Sequence, residues 1–179
     1  MSPTASRLAI FLGAILVLAG VNWSIYKKEV IKSSGELVYL ELAPVDPRSL
    51  MQGDYLALQF AVANAIAARF SQVTPADDKL IYGVQLAELT IDWQRVGRII
   101  DGKAASTPAT PVITGPPIGK INIAWRMRQG RVWLGTNAFF FEEGSAQKYS
   151  SARYGEFRID RATGEAVLVG LRDQALKVL

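Results

Sequence analysis

The segment Leu8 to Tyr26 is predominantly apolar and contains no charged residue over 19 positions. As a helix with a rise of about 1.5 Å per residue, it would extend about 28 Å, close to the thickness of the hydrocarbon core of a bilayer. Trp23 and Tyr26 lie where aromatic residues of a membrane interface are found, and Lys27 with Lys28 ends the run. The segment therefore predicts a transmembrane helix.

A cleaved signal peptide is the alternative interpretation of this segment. Val17-Leu18-Ala19 offers acceptable residues for cleavage, and Arg7 supplies a basic n-region. The apolar run continues beyond this point without a clean A-x-A site, so we expect an uncleaved anchor. The absence of cysteine excludes lipoprotein processing. We divide the chain into a tail and transmembrane anchor at 1–28 and a soluble, β-rich domain at 29–179.

Basic residues flank the anchor on both sides, which leaves its orientation open. The short tail carries Arg7, and the other side carries Lys27, Lys28 and Lys32. Taken alone, the positive-inside rule would place the large domain in the cytoplasm. We nevertheless expect an extracytoplasmic domain, because an N-terminal anchor after a seven-residue tail behaves like a signal anchor. A cysteine-free domain is compatible with export.

The composition excludes several classes of function. There is no cysteine and no histidine, so disulfides, thiol catalysis, zinc fingers and Ser-His-Asp triads are excluded. After residue 26 the chain has 19 basic and 16 acidic residues, a net charge of +3 without a basic stripe. We therefore expect no nucleic-acid partner, whereas anionic lipid near Lys27, Lys28 and Lys32 is a plausible contact. We predict no metal or cofactor.

The first half of the soluble part contains strand-like runs and one alanine-rich run. We expect a juxtamembrane stretch at Val30–Gly35, strands at Leu37–Ala43 and Tyr55–Val62, and one or two strands at Leu80–Trp93, with Arg95–Ile100 as an extension of the sheet. The run Ala61 to Phe70 favours a helix instead of a continued strand. Residues 101–119 are rich in Gly, Pro, Ser and Thr and predict a long loop, most simply a tolerated insertion.

The clearest β pattern is Lys120 to Arg128, where apolar Ile121, Ile123, Trp125 and Met127 alternate with more polar residues. Gln129-Gly130 predicts a hairpin turn, and Arg131 to Gly135 the returning strand. Three arginines crowd the polar face or the tip of this hairpin: Arg126, Arg128 and Arg131. They form either a solvated face or a contact for an acidic partner or lipid head group.

The C-terminal third predicts a second hairpin and an unusual aromatic run. Tyr149–Asp160 and Glu165–Leu171 are expected to pair around a turn at 161–164, with Phe157 and Ile159 facing inward. The run Ala138–Gly144 contains three consecutive phenylalanines, which cannot all lie on one face of a strand. The predicted fold is mainly β, or β-rich α+β. An N-terminal transmembrane helix precedes one compact antiparallel β domain with one or two short helices.

A stiff loop is predicted after the first strand. Pro44 and Pro47 fix their own φ angles and favour extended conformations at the residues before them. Asp46 can close an Asx turn, and Gly53 within Gln52-Gly53-Asp54 is free to adopt a positive φ. Together these residues predict strand, loop and strand, with Asp46, Arg48 and Asp54 on the loop.

The stretch Pro44 to Phe60 resembles the signature of the GDYxxLxY family, bacterial membrane-anchored proteins with no assigned activity. The anchor-proximal region and the segment Phe139–Asp173 are similar to that family as well. Phe60 stands where the signature has Tyr, so any role of that hydroxyl is absent here. The resemblance favours a single-pass protein of the bacterial inner membrane with its C-terminal domain in the periplasm.

The expected role is non-catalytic. We interpret the protein as an accessory or interaction subunit that contacts the lipid bilayer and docks on a larger membrane protein or envelope component. The residues expected to bind the partner or to form a structural motif are Asp46, Arg48, Gly53, Asp54, Tyr55, Phe141, Glu143, Gly144, Arg153 and Tyr154. These groups would equally serve as turn caps and ion pairs, with Asp46 or Asp54 on Arg153 and Glu143 on Arg48.

Two other classes of function stay open. One is a membrane-anchored hydrolase that uses Asp and Glu for acid and base chemistry, although no spacing motif fixes such a pair. The other is a lipid-sensing or small-molecule-sensing domain. We predict no catalytic residue.

Overall fold

The computed structural model describes residues 3–43, 51–52, 55–73, 84–99, 118–128 and 130–179. The chain begins with a helix, α1 (Pro3–Ser34), that is longer than the apolar run. Within it, Ile10–Ser34 is long and apolar enough to cross a membrane. Its large apolar side chains are exposed, Leu16 by 74% and Phe11 by 65%. A bilayer would cover this surface, which supports the predicted membrane anchor.

Helix α1 extends into the predicted juxtamembrane stretch Val30–Gly35 and ends at Ser34. The hydroxyls of Ser33 and Ser34 both donate to the Val30 carbonyl, at 3.1 and 2.8 Å. The Gly35 amide donates to the Ile31 carbonyl at 2.8 Å. The Gly35 bond gives a backbone partner to the Ile31 carbonyl, one of the last four carbonyls of the helix. The anchor is therefore continuous with the base of the domain.

The soluble part is β-rich, as predicted. Its strands in the described residues are β1 (Glu36–Glu41), β2 (Met51–Gln52), β3 (Tyr55–Ala57), β4 (Gln85–Ile91), β5 (Gly97–Arg98), β6 (Gly119–Arg128), β7 (Arg131–Trp133), β8 (Ala138–Phe140), β9 (Tyr154–Ile159) and β10 (Ala166–Arg172). They form three antiparallel sheets with the strand orders β1-β9-β10, β2-β3-β8 and β5-β4-β6-β7. A second helix, α2 (Ala61–Val73), follows β3.

The expected strand Tyr55–Val62 is shorter than predicted. It ends at Ala57, and α2 begins at Ala61, as the alanine content of the run favours. Between them, Leu58 and Phe60 are buried in the core. The alternating apolar pattern thus continues past the strand, and Phe60 forms an isolated antiparallel bridge with Leu42. The long loop expected at 101–119 falls outside the described residues, except for its last two positions.

Both predicted hairpins are confirmed. Strand β6 buries Ile121, Ile123 and Trp125 on one face, as its period of two requires, and pairs with β7. In the other hairpin, Phe157 and Ile159 of β9 are fully buried. Their partners across the ladder are Leu168 and Ala166.

The core lies where the β1-β9-β10 sheet meets the β5-β4-β6-β7 sheet. The Tyr39 amide donates to the Arg95 carbonyl at 2.8 Å, and the Ala124 amide donates to the Gly164 carbonyl at 2.7 Å. These two bonds join the sheets through β1 and through the β9–β10 turn. Side chains without solvent exposure fill the space between them: Val38, Leu40, Leu89, Ile123, Leu134, Phe157 and Ile159.

Helix α1 docks on the β9–β10 hairpin. Ile31 is 7% exposed, and the Lys28 ammonium contacts the Glu165 carboxylate at 2.5 Å. The Arg158 guanidinium donates to the Gly35 carbonyl at 3.2 Å. From Tyr26 to Ser34 the helix rises about 12 Å. The contacts therefore hold the β domain close to the end of the membrane-spanning segment.

Candidate functional site

Two segments that resemble the family pattern pair directly in the structure. Strand β3 contains Tyr55 of the Gly-Asp-Tyr motif, and β8 contains the first two phenylalanines of the aromatic run. The register places Tyr55 opposite Phe140 and Leu56 opposite Phe139. The Tyr55 and Phe140 rings are 5.8 Å apart between centroids, within the range of a favourable aromatic pair. The motif and the aromatic run thus form one surface.

The three phenylalanines have three different environments. Phe140 is 75% exposed, whereas Phe139 and Phe141 are partly buried against the core. Both of these rings pack on Tyr149, with centroid distances of 5.1 and 5.2 Å. Tyr149 ends a short 3-10 helix, Ala146–Tyr149. We call these five residues, Tyr55, Phe139, Phe140, Phe141 and Tyr149, the aromatic edge.

A charged turn follows the aromatic edge. Glu142 and Glu143 are exposed, and the Ser145 amide donates to the Glu142 carbonyl at 3.0 Å to close the turn. Gly144 has a φ of 81°, a conformation that glycine adopts at little cost and other residues seldom adopt. The turn therefore fixes two carboxylates next to Phe141, with Gly144 in a structural role.

Tyr154 is the first residue of β9 in the β1-β9-β10 sheet, and Arg153 directly precedes it. The Arg153 amide donates to the Arg172 carbonyl at 2.8 Å, and its carbonyl accepts from the Leu42 amide at 2.8 Å, while its side chain is exposed. Tyr154 lies opposite Glu41 on β1. Burial raises the pKa of the Tyr154 phenol, and the nearby Glu41 carboxylate raises it further. The phenol therefore favours its neutral form.

The structure describes six of the ten predicted site residues. It brings Tyr55, Phe141, Glu143 and Gly144 to one region around β3 and β8. Four of the predicted residues, Asp46, Arg48, Gly53 and Asp54, lie outside the described residues. The ion pairs expected between Asp46 or Asp54 and Arg153, and between Glu143 and Arg48, therefore stay predictions.

Two buried carboxylates do not belong to the predicted set of site residues. Asp92 is 5% exposed, and its Oδ2 accepts from Arg98 Nη1 at 2.8 Å. Its Oδ1 accepts from the backbone amides of Gln94 and Val96, at 3.0 and 2.9 Å. This Asx-type turn begins β5, and Arg95 adopts a φ of 62° within it. The Asp-x-Gln pattern in the sequence indicates such a turn. The ion pair with Arg98 is not apparent from the sequence, because it depends on strand pairing.

The second buried carboxylate belongs to Glu156 of β9, which is 8% exposed. It accepts from Arg172 Nε on β10 at 2.5 Å, and the Arg172 Nη2 group contacts the same oxygen. Each buried carboxylate is therefore neutralised by a guanidinium, an arrangement typical of structural ion pairs. Among the residues that the structure describes, no group of three or more acidic side chains could hold a metal ion.

Comparison with known proteins adds one finding. No curated protein and no solved structure matches the chain. The family model described as GDYXXLXY protein matches residues 17–171, which covers the second half of the anchor, every strand of the three sheets except the end of β10, and α2. A match over this length includes both sides of the aromatic edge. The chain therefore belongs to the GDYXXLXY protein family.

Proposed function

We propose that this protein is a non-catalytic, membrane-anchored interaction protein whose β domain docks on a larger membrane or envelope component. The observation that carries the proposal is the exposure of Phe140, at 75%, in the centre of the aromatic edge. Single exposed apolar residues are common and need no explanation. Here the exposed ring lies against Tyr55, and the neighbouring rings hold the strand in place from behind. Rigid aromatic anchors of this kind dominate the energetics of protein interfaces.

The docked anchor supports a partner in or near the same membrane. Helix α1 is continuous from the apolar segment to Ser34 and is held on the β domain by Ile31 and by the Lys28–Glu165 contact. The domain, with its aromatic edge, therefore stays near the bilayer surface. Glu142 and Glu143 add negative charge beside the edge. A partner with an apolar pocket and a basic rim would complement this surface.

The test is co-purification from detergent-solubilised native membranes after mild crosslinking. We expect Phe140→Arg to lose a membrane-protein partner that the wild type retains. Trp93→Arg is the matched control, because Trp93 is also an exposed aromatic residue, at 56%, but follows β4 in another sheet. Retention of the same partner by Phe140→Arg, or equal loss in both variants, would contradict docking through the aromatic edge.

We further propose that the domain lies in the periplasm, with α1 as an uncleaved signal anchor in the bacterial inner membrane. The chain contains no cysteine, so single-cysteine variants can be labelled without background. Ser151 is exposed in the β domain, and Ser2 lies in the N-terminal tail. A membrane-impermeant maleimide applied to cells with a permeabilised outer membrane should label Ser151→Cys and not Ser2→Cys. The reverse pattern would place the domain in the cytoplasm.

The interaction role is favoured over a hydrolase by the environment of the buried acids. A carboxylate pair for acid and base catalysis needs two acids that face one site. Among the described residues, the two buried acids, Asp92 and Glu156, each bind an arginine instead. The hydrolase alternative predicts that a purified sample hydrolyses a glycan or peptide substrate and loses that activity on replacement of an acidic residue.

A further inference from the structure

A cleft of about 400 Å³ lies between helix α2 and the β6–β7 hairpin. This volume falls within the range of about 300 to 1,000 Å³ that is typical of small-ligand sites. Its apolar floor includes Phe60, Ala63, Ala67 and Val132. Its polar groups are contributed by Gln59, Asn64, Arg128, Arg131, Trp133 and Asn137. Two of these residues, Arg128 and Arg131, stood out in the sequence and do not belong to the aromatic edge.

The polar side chains that line the cleft are cationic or neutral. The residues that line the cleft carry two guanidinium groups, three carboxamides and one indole, and within the described part of the chain no Asp or Glu lines it. Guanidinium groups only donate hydrogen bonds and match carboxylate or phosphate oxygens, whereas carboxamides both donate and accept. The side chains therefore suit a ligand with an anionic group and several hydroxyl groups.

The two arginines lie side by side, and among the described residues no acidic side chain of the cleft accompanies them. Arg128 and Arg131 lie directly opposite each other at the end of the β6–β7 ladder, and Gly130 in the turn between them has a φ of 72°. Like charges in this position destabilise an antiparallel pair. The Arg128 guanidinium lies over the Trp133 ring, 5.5 Å from its centroid, which restricts a long side chain at the rim. An anion placed between the arginines would offset their repulsion.

We propose that this cleft binds a small sugar that carries a carboxylate or phosphate group. The anionic group accepts from Arg128 and Arg131, the hydroxyls pair with Gln59, Asn64 and Asn137, and the C–H face of the sugar rests on the apolar floor. The site goes beyond the proposed docking function, and neither requires the other. A free sugar acid and a sugar phosphate share this chemistry, and the experiment below distinguishes them.

The experiment is isothermal titration calorimetry on the full-length protein in detergent micelles. The probes are glucuronate, glucose 6-phosphate, neutral glucose and inorganic phosphate. We expect one of the two anionic sugars to bind at least about tenfold more tightly than glucose and than inorganic phosphate. Only an anionic sugar can pair with the arginines and with the carboxamides of the cleft at the same time. The preferred anion then identifies the ligand as a sugar acid or a sugar phosphate.

Arg131→Gln should weaken that binding by at least about tenfold, since it removes one charged donor. Arg126→Gln is the matched control, because Arg126 is an exposed arginine on the same strand as Arg128 but does not line the cleft. Thermal unfolding of both variants verifies that they fold like the wild type. The proposal is overturned if neither anionic sugar binds, if glucose or inorganic phosphate binds as tightly, or if Arg131→Gln and Arg126→Gln have equal effects.

Discussion

The β1-β9-β10 sheet and the β2-β3-β8 sheet each contain three strands in the described residues, yet they use their apolar side chains in opposite ways. The strands of the first are six or seven residues long, and those of the second are two or three. The first sheet fully buries Val38, Leu40 and Phe157, whereas Phe140 of the second is 75% exposed. We call them the long sheet and the short sheet.

This difference indicates a division of roles within one small domain. The long sheet contacts α1 and supplies much of the core, so it ties the fold to the anchor. The short sheet is attached to that core through Leu56, which is 3% exposed, and presents Tyr55 and Phe140 at its surface. Stability should therefore be concentrated in the long sheet, and changes at the exposed side chains of the short sheet should leave the fold intact.

The largest expected contrast is between Phe157→Ala and Phe140→Ala. Loss of the fully buried Phe157 ring, which packs on Phe60 at 5.2 Å, should lower the free energy of unfolding by about 3 to 5 kcal/mol. Loss of the exposed Phe140 ring should change it by no more than about 0.5 kcal/mol. Chemical denaturation of the two full-length variants measures both values. Equal effects would break the proposed division between the sheets.

A second test concerns the ion pair of the long sheet. Arg172→Met should lower the free energy of unfolding by about 3 kcal/mol, because it leaves the buried Glu156 carboxylate without its cation. The double variant Glu156→Leu with Arg172→Met is the control, since it removes both charges and should recover most of the loss. A double variant as unstable as Arg172→Met would show that the arginine acts through packing rather than charge.

A third and smaller effect is expected at two glycines of the long sheet. A Cβ at Gly155 would lie 2.9 Å from Phe60 Cε1 and 3.0 Å from Phe157 Cε2, so Gly155→Ala should cost about 1 to 3 kcal/mol. At Gly170, on the neighbouring strand, a Cβ would meet no atom within 4 Å. Gly170→Ala is therefore the matched control and should not reduce stability. Equal thermal unfolding midpoints for the two variants would contradict tight packing at Gly155.

The features that the sequence predicted well depend on local chemistry. The alternation from Ile121 to Met127, with the glycine turn after it, predicts a half-buried strand and a hairpin regardless of the rest of the chain. The apolar run of α1 likewise needs no tertiary information. The family resemblance drew attention to Tyr55 and to the phenylalanine run, whereas their pairing in β3 and β8 became apparent only in the structure.

The features that were missed depend on register and on packing between elements. The Glu156–Arg172 pair requires β9 and β10 to align within one residue, and a bulge between Leu168 and Gly170 shifts that alignment. The extension of α1 to Ser34 depends on Ile31, whose burial becomes apparent only when the helix docks on β9. The cleft between α2 and the β6–β7 hairpin joins segments about 70 positions apart, so no local pattern indicates it.

The smallest expected effect is a pH dependence in the long sheet at Tyr154. Burial, and then the Glu41 carboxylate, raise the pKa of its phenol above the ordinary value of 10.0. The folded state thus favours the neutral phenol more than the unfolded state does.

The contribution of the neutral Tyr154 phenol to stability is fully present below pH 10.0 and is lost as the pH rises through the higher pKa of the folded state. Between pH 10.0 and the higher pKa of the folded state, the thermal midpoint of the wild type should therefore fall more steeply than that of Tyr154→Phe. Ultraviolet absorbance of the wild type minus that of the variant follows the phenol directly. A difference titration with its midpoint at or below 10.0 would show that Tyr154 is better solvated than its place beside Glu41 implies, and that the long sheet is less tightly closed at this edge.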